Sequence, residues 1–115
     1  MKDYLPKEWT DISGFARKDF IRSNPGDLKR WVKALNQATK YIEQNRAWAL
    51  KNMKSGLGYS DKAAEITYRI LKFVPGGRIN KKAVENVRNF LIAYDILKRG
   101  KAPEAAQLFT NQFTQ

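Results

Sequence analysis

Apolar residues recur along most of the chain at intervals of three and four, the spacing of an α-helix with one buried face. Turn-forming residues separate five such segments, and we predict helices over residues 6–22, 25–54, 61–73, 81–99 and from 103 onward. No stretch alternates apolar and polar residues for long enough to indicate a strand. The predicted fold class is therefore all-α, a compact bundle of about five helices forming one domain over residues 1–115.

The predicted helix boundaries rest on residues with specific roles at helix ends. Asn24, Ser60 and Asn80 each stand directly before a predicted helix, where a short polar side chain can accept a hydrogen bond from a free backbone N–H. Pro25 suits the first position of a helix because its missing N–H has no helical partner there. Residues that favour turns end the helices at 23–26, 55–58, 75–77 and 100.

The longest predicted helix, 25–54, has two contrasting faces when it is drawn with about 100° per residue. The apolar face contains Leu28, Trp31, Val32, Leu35, Ile42, Ala49, Leu50 and Met53. Arg46 projects into this face. A charge is seldom buried alone, so we expect Arg46 to pair with a carboxylate of another helix. The alternative is that this end of the helix faces a partner.

One flank of the polar face is a candidate nucleic-acid-binding surface. It contains basic residues, the amides Gln37 and Gln44, and two aromatic residues; the candidates are Arg30, Lys33, Lys40, Tyr41, Trp48 and Lys51. Lysine and arginine neutralise phosphates, amides hydrogen bond to them, and aromatic rings stack on sugars or bases. In the alternative interpretation, Tyr41 and Trp48 pack beneath a neighbouring helix, as large aromatic residues at helical spacing commonly do.

A second basic locus joins the Gly-Gly turn at 76–77 to the start of the helix at 81. A helix amino terminus attracts anions, and Arg78, Lys81 and Lys82 add three positive charges there. The positive end of the helix dipole repels lysines in the first turn, and a bound anion would offset that repulsion. The alternative is an ordinary turn with solvated lysines. The turn has neither Walker nor dinucleotide-binding spacing, so it gives no support for nucleotide binding.

The charge balance indicates the classes of partner. Lys and Arg number 22 against 11 Asp and Glu, a net charge of +11. This excess favours nucleic acid, an anionic membrane surface or an acidic protein, unless the basic surface serves only solubility. No apolar run resembles a secretory signal or a membrane span, so we expect no membrane partner and take the cytoplasm as the default location.

The composition also limits the chemistry. The absence of cysteine and histidine excludes disulfides, thiolate zinc sites and nucleophilic systems built on histidine. Asp61 and Glu65 lie four residues apart, but one pair supplies too few ligands for a hydrolytic metal centre. We expect Glu65 to support Arg69, four residues further on. We predict no catalytic residue, no cofactor and no metal.

The run from Val84 to Tyr94, in a small basic all-helical chain, is similar to the last core helix of the small subunits of CRISPR interference complexes. This resemblance implies a non-catalytic helical bundle, present in repeated copies, whose basic side chains contact the target or displaced strand. It implies nucleic acid and other protein subunits as partners. The competing interpretation is a phage or plasmid accessory protein, or an inhibitor, that docks through its basic face on an acidic protein.

Overall fold

The structure is a computed structural model that describes residues 7–10 and 13–114. It has five α-helices: α1 (Lys18–Ser23), α2 (Pro25–Gln44), α3 (Arg46–Leu57), α4 (Asp61–Ile70) and α5 (Lys81–Ala93). A short 3-10 turn lies at Pro75–Gly77, between α4 and α5, and two more follow α5 at Arg99–Lys101 and Ala105–Gln107. The described residues contain no strand, and the all-α fold class is confirmed.

The predicted continuous helix over 25–54 is wrong, because Asn45 divides it into α2 and α3. Asn45 has φ −123° and ψ 62°, and its backbone N–H and side-chain amide donate to Tyr41 O at 3.0 and 2.9 Å. The hydroxyl of Tyr68, on α4, lies 2.9 Å from Glu43 O and 3.2 Å from Ile42 O. Carbonyls that lose their helical partners at the break are therefore satisfied by side chains, which makes the break stable.

Other boundaries also differ from the prediction. The described residues before Lys18 are not helical, so the helix predicted over 6–22 is reduced to α1, while residues 6, 11 and 12 lie outside the described residues. The helix predicted to Arg99 ends at Ala93, where Asp95 takes a left-handed φ of 56°. The segment from Pro103 contains a single 3-10 turn, and α4 ends before Phe73.

The predicted helix caps are mostly confirmed. Ser60 Oγ accepts a hydrogen bond from Ala63 N at 3.2 Å, and Asn80 Oδ1 accepts one from Lys82 N at 2.9 Å. Asn24 stands at the predicted cap position, but its side chain makes no capping hydrogen bond. Gly58 ends α3 in the left-handed conformation, with φ 70°.

The bundle is flat and its core is shallow. It measures 47 × 40 × 21 Å, and its shortest dimension corresponds to roughly two helix diameters. The buried apolar residues of the described chain are Leu28, Ala49, Ala64, Ala83 and Ala105. Every larger apolar side chain in the described ranges other than Leu28 stays at least partly exposed.

Polar contacts fasten the carboxy-terminal segment to α5. Arg88 donates to Pro103 O at 2.6 Å, to Ala102 O at 3.4 Å and to Glu104 Oε1 at 3.2 Å. Asn111 pairs with both backbone groups of Ile79, accepting at 2.8 Å and donating at 2.9 Å. These bonds hold the segment where little apolar surface is available.

Replacement of Arg88 by methionine tests this role. Arg88→Met keeps most of the aliphatic stem but leaves the carbonyls of Ala102 and Pro103 without their donor. The Arg88 side chain is only 16% exposed, so we expect the free energy of unfolding in urea to fall by about 1–3 kcal/mol. Arg99→Met, at an exposed position, is the control and should change it by less than about 0.5 kcal/mol. Equal effects of the two changes would contradict the role of Arg88.

Candidate nucleic-acid interface

The candidate nucleic-acid-binding surface predicted on the long helix, from here on called the stripe, lies mostly within α2. Its residues in α2 stay on one side of that helix. Its α2 members share one arc about 100° wide and are all exposed: Arg30, Lys33, Gln37, Lys40, Tyr41 and Gln44. The arc contains no acidic residue. From Arg30 to Gln44 it runs about 21 Å along the helix. The break at Asn45 comes directly after the last member, so it does not divide the stripe within α2.

Tyr41 and Trp48 meet across the break. Their ring centroids are 5.1 Å apart and the rings are nearly perpendicular, at 85°. Tyr41 is 49% exposed and Trp48 is 46% exposed, so neither ring is core. The edge-to-face contact fixes both rings relative to each other and leaves about half of each surface open.

Lys51 continues the stripe on α3. It lies three residues after Trp48, on the same side of that helix. Lys33, Lys40 and Lys51 are exposed and form no ion pair with any acid in the described part of the chain. Arg30 differs, because it pairs with Asp27 in the first turn of α2. Three lysines of the stripe therefore keep their full charge for a partner.

The second basic locus packs against α2, beside the stripe. Gly76 and Gly77 are left-handed, with φ 70° and 67°, and a Cβ on Gly77 would lie 3.0 Å from Asn36 Oδ1 of α2. A small cavity of about 170 Å³ at this junction is lined by residues that include Lys40 and Gly76. The fold thus brings the two predicted loci together, and it explains both glycines by turn geometry and close packing.

The lysines of the second locus are partly neutralised. Lys81 Nζ lies 3.7 Å and Lys82 Nζ 3.8 Å from the carboxylate of Glu85, one turn further along α5. Asn80 already occupies the backbone N–H of Lys82. Arg78 is exposed and has no acidic partner among the described residues. Glu85 offsets the first-turn lysines, so their presence does not require a bound anion.

The predicted ion pair of Arg46 is confirmed, and its partner is Glu65 of α4. The guanidinium also lies 5.9 Å from the centre of the Tyr68 ring. The expected support of Arg69 by Glu65 does not form, because Glu65 is engaged with α3. Beside this pair an open groove of about 710 Å³ lies between the end of α2 and α4. Sequence reasoning missed the groove because it exists only where α4 packs on the helix break.

No protein-family profile, curated protein or solved structure matches the chain. Across the described residues no cluster of acidic side chains has the arrangement of a metal site, and no helix is long and apolar enough to cross a membrane. The resemblance to CRISPR small subunits therefore stays a prediction, and the arrangement of charges and aromatic rings carries the functional interpretation.

Near the stripe, the ion pair between Lys54 of α3 and Asp61 of α4 can be tested by titration. Lys54 Nζ lies 2.8 Å from Asp61 Oδ1, and its hydrogen bond and positive charge lower the pKa of Asp61 below its ordinary value of 3.8. This contribution to stability is present above pH 3.8 and is lost as the pH falls through the lower folded pKa. In an NMR titration, Lys54→Met should raise the pKa of Asp61 toward 3.8, whereas Lys51→Met should leave it unchanged. The same shift in both variants would contradict a specific pair.

Proposed function

We propose that this protein is a non-catalytic, cytoplasmic nucleic-acid-binding protein that holds the phosphate backbone without reading its sequence. The proposal rests on one observation: three lysines without ion pairs among the described residues, Lys33, Lys40 and Lys51, lie in a row with the half-exposed Tyr41–Trp48 pair. Following its resemblance to CRISPR small subunits, we propose that it is a small subunit of a ribonucleoprotein effector complex and holds a target or displaced strand there.

The spacing of the stripe suits a nucleic-acid strand. Lys33 and Lys40 lie seven residues apart on one helix, about 10 Å along its axis. Phosphates of one strand recur about every 3.4 Å along a duplex, so the roughly 21 Å of the stripe would face about six of them. Three cations of the stripe are spread along this length of α2, and Lys51 follows on α3. Cations in such a row can follow a backbone, whereas a single cluster would bind only one local anion.

The aromatic pair favours a strand with accessible bases. Stacking on aromatic rings tolerates any sequence because every base has a π face. Tyr41 and Trp48 fix each other's orientation and keep about half of their surface open, so little ordering is needed when a base is bound. Duplex DNA would present only its backbone to these rings, and we therefore favour single-stranded nucleic acid.

Charge reversal on α2 tests the site. With Arg30, Lys33, Lys40 and Lys51 as contacts, the logarithm of affinity for a single strand should fall with the logarithm of salt at a slope of about −3. Lys33→Glu with Lys40→Glu removes two contacts, so the slope should flatten by about 1.4 and affinity should fall roughly 50-fold at about 50 mM salt. Fluorescence anisotropy with an oligothymidylate measures both quantities.

The matched control is Lys98→Glu with Lys101→Glu, which makes the same change in net charge on exposed residues of the carboxy-terminal segment. We expect it to weaken binding by a few-fold at most and to leave the slope nearly unchanged. Equal losses in the two double variants would show that only net charge matters and would remove the stripe from the proposal. Failure of the unmodified protein to bind at about 50 mM salt would contradict nucleic-acid binding by the isolated chain.

A further inference from the structure

The groove beside the helix break is lined in part by apolar side chains. These are Ile42 of α2, Ile66 of α4, and Leu71 and Phe73 of the segment that follows α4. Ile66 is 40% exposed, and Ile70, on the same outer side of α4, is 66% exposed. Large aliphatic side chains left open beside a concave surface are typical of sites that bind other proteins.

Most of the basic side chains that line the groove form no ion pair with a described residue. Four cations line it, but Arg46 is neutralised by Glu65. Lys62, Arg69 and Lys72 form no ion pair within the described residues. The remaining acid is Glu43, so three unpaired cations face one unpaired carboxylate. A partner that fits the groove must therefore combine apolar side chains with flanking carboxylates.

Nucleic acid fits this groove less well than it fits the α2 stripe. Glu43 and Glu65 lie within the lining, whereas the α2 arc contains no acidic residue. A phosphate backbone is charged at every nucleotide, whereas an amphipathic helix can place apolar side chains opposite these acids. The lining holds three aliphatic side chains, Ile42, Ile66 and Leu71, and two aromatic ones, Tyr68 and Phe73. Bases stack on open aromatic faces. The Tyr68 ring lies near the Arg46 guanidinium, its hydroxyl is engaged with the end of α2, and Phe73 is only partly exposed.

A second copy of this chain also lacks the required chemistry. Four of its five described helices carry more Lys and Arg than Asp and Glu, and α4 carries two of each. No helix in the described ranges is therefore net acidic. Two copies would also bring together surfaces of the same sign, because each chain carries a net charge of +11.

We propose that the groove between the end of α2 and α4 binds an acidic amphipathic helix of another protein. The apolar stripe of that helix packs over Ile66 and Ile70, and its carboxylates face Lys62, Arg69 and Lys72. Helix-in-groove recognition uses apolar anchors at positions i, i+3 or i+4, and i+7, and the outer face of α4 offers about two turns of contact. This site is separate from the α2 stripe and leaves the stripe free for nucleic acid.

The probe is a fluorescent synthetic helix about 18 residues long, with leucines at helical spacing along one face and glutamates elsewhere. Its control has the same composition, with leucine and glutamate alternating so that no helical stripe forms. Anisotropy at about 150 mM salt, where the Debye length is near 8 Å, suppresses long-range attraction to the basic chain. We expect the first peptide to bind at least tenfold more tightly than the second. Equal binding would overturn the proposal, since it would mean charge attraction alone.

Two variants locate the site. Arg69→Glu with Lys72→Glu should weaken the first peptide at least tenfold, whereas Lys98→Glu with Lys101→Glu should change it by a few-fold at most. Ile66→Ser removes the apolar anchor without changing charge and should also weaken it several-fold. Circular dichroism checks that each variant is folded. Unchanged peptide binding in both folded groove variants would overturn the proposal.

The remaining outcomes separate this proposal from the proposed function. Arg69→Glu with Lys72→Glu should leave oligothymidylate binding within a few-fold of the unmodified protein. A loss of oligonucleotide binding comparable to that of the α2 double variant would assign the groove to nucleic acid and overturn the inference. Sedimentation equilibrium that showed self-association, abolished by the groove variants, would instead assign the groove to a second copy.

Discussion

The arrangement of this protein depends on the helix break at Asn45 and on the side chains of α4 that occupy it. Tyr68 places its hydroxyl against the last carbonyls of α2, while Glu65 pairs with Arg46 in the first turn of α3. One face of α4 thus contacts both sides of the break. Tyr41 and Trp48 lie on either side of the break, and their ring centroids are 5.1 Å apart. The same packing opens the groove.

A flat bundle with a small core must be stabilised partly by polar contacts. Four of the five buried apolar residues in the described part of the chain are alanines, which bury little area each. The net charge of +11 adds self-repulsion. Arg88 and Asn111 offset part of this by fastening the carboxy-terminal segment to α5 and to Ile79. The partly exposed apolar side chains that such a layer leaves are available for partners.

Features that depend on neighbouring residues in sequence were predictable. Ser60 and Asn80 cap their helices as expected, and the α2 face keeps its period because twenty residues form one regular helix. The partner of Arg46 was predictable in kind, since a cation on an apolar face needs a carboxylate. The ion pairs of Lys81 and Lys82 with Glu85 could have been predicted from their i,i+4 and i,i+3 spacing but were not.

Features that depend on tertiary contact were not predictable from the pattern. Asn45 interrupts an amphipathic helix without Gly or Pro, and part of what stabilises the break comes from another helix, through the Tyr68 hydroxyl of α4. Residues 13–17 are not helical, and Gly14 lies close to α2: a Cβ on Gly14 would lie 2.7 Å from the Trp31 ring. The groove combines residues of α2, α3, α4 and the segment that follows, so no single helix face indicated it.

We propose that nucleic acid lies along α2 and reaches the Tyr41–Trp48 pair. Chemical-shift mapping with an oligothymidylate tests it most directly, because the three tryptophans give separate indole N–H signals. We expect the indole of Trp48 and the backbone amides around Lys33 and Lys40 to shift together and to saturate at one concentration, while the indole of Trp9, packed on Phe90, stays in place. Shifts confined to α4 or α5, with Trp48 unchanged, would contradict it.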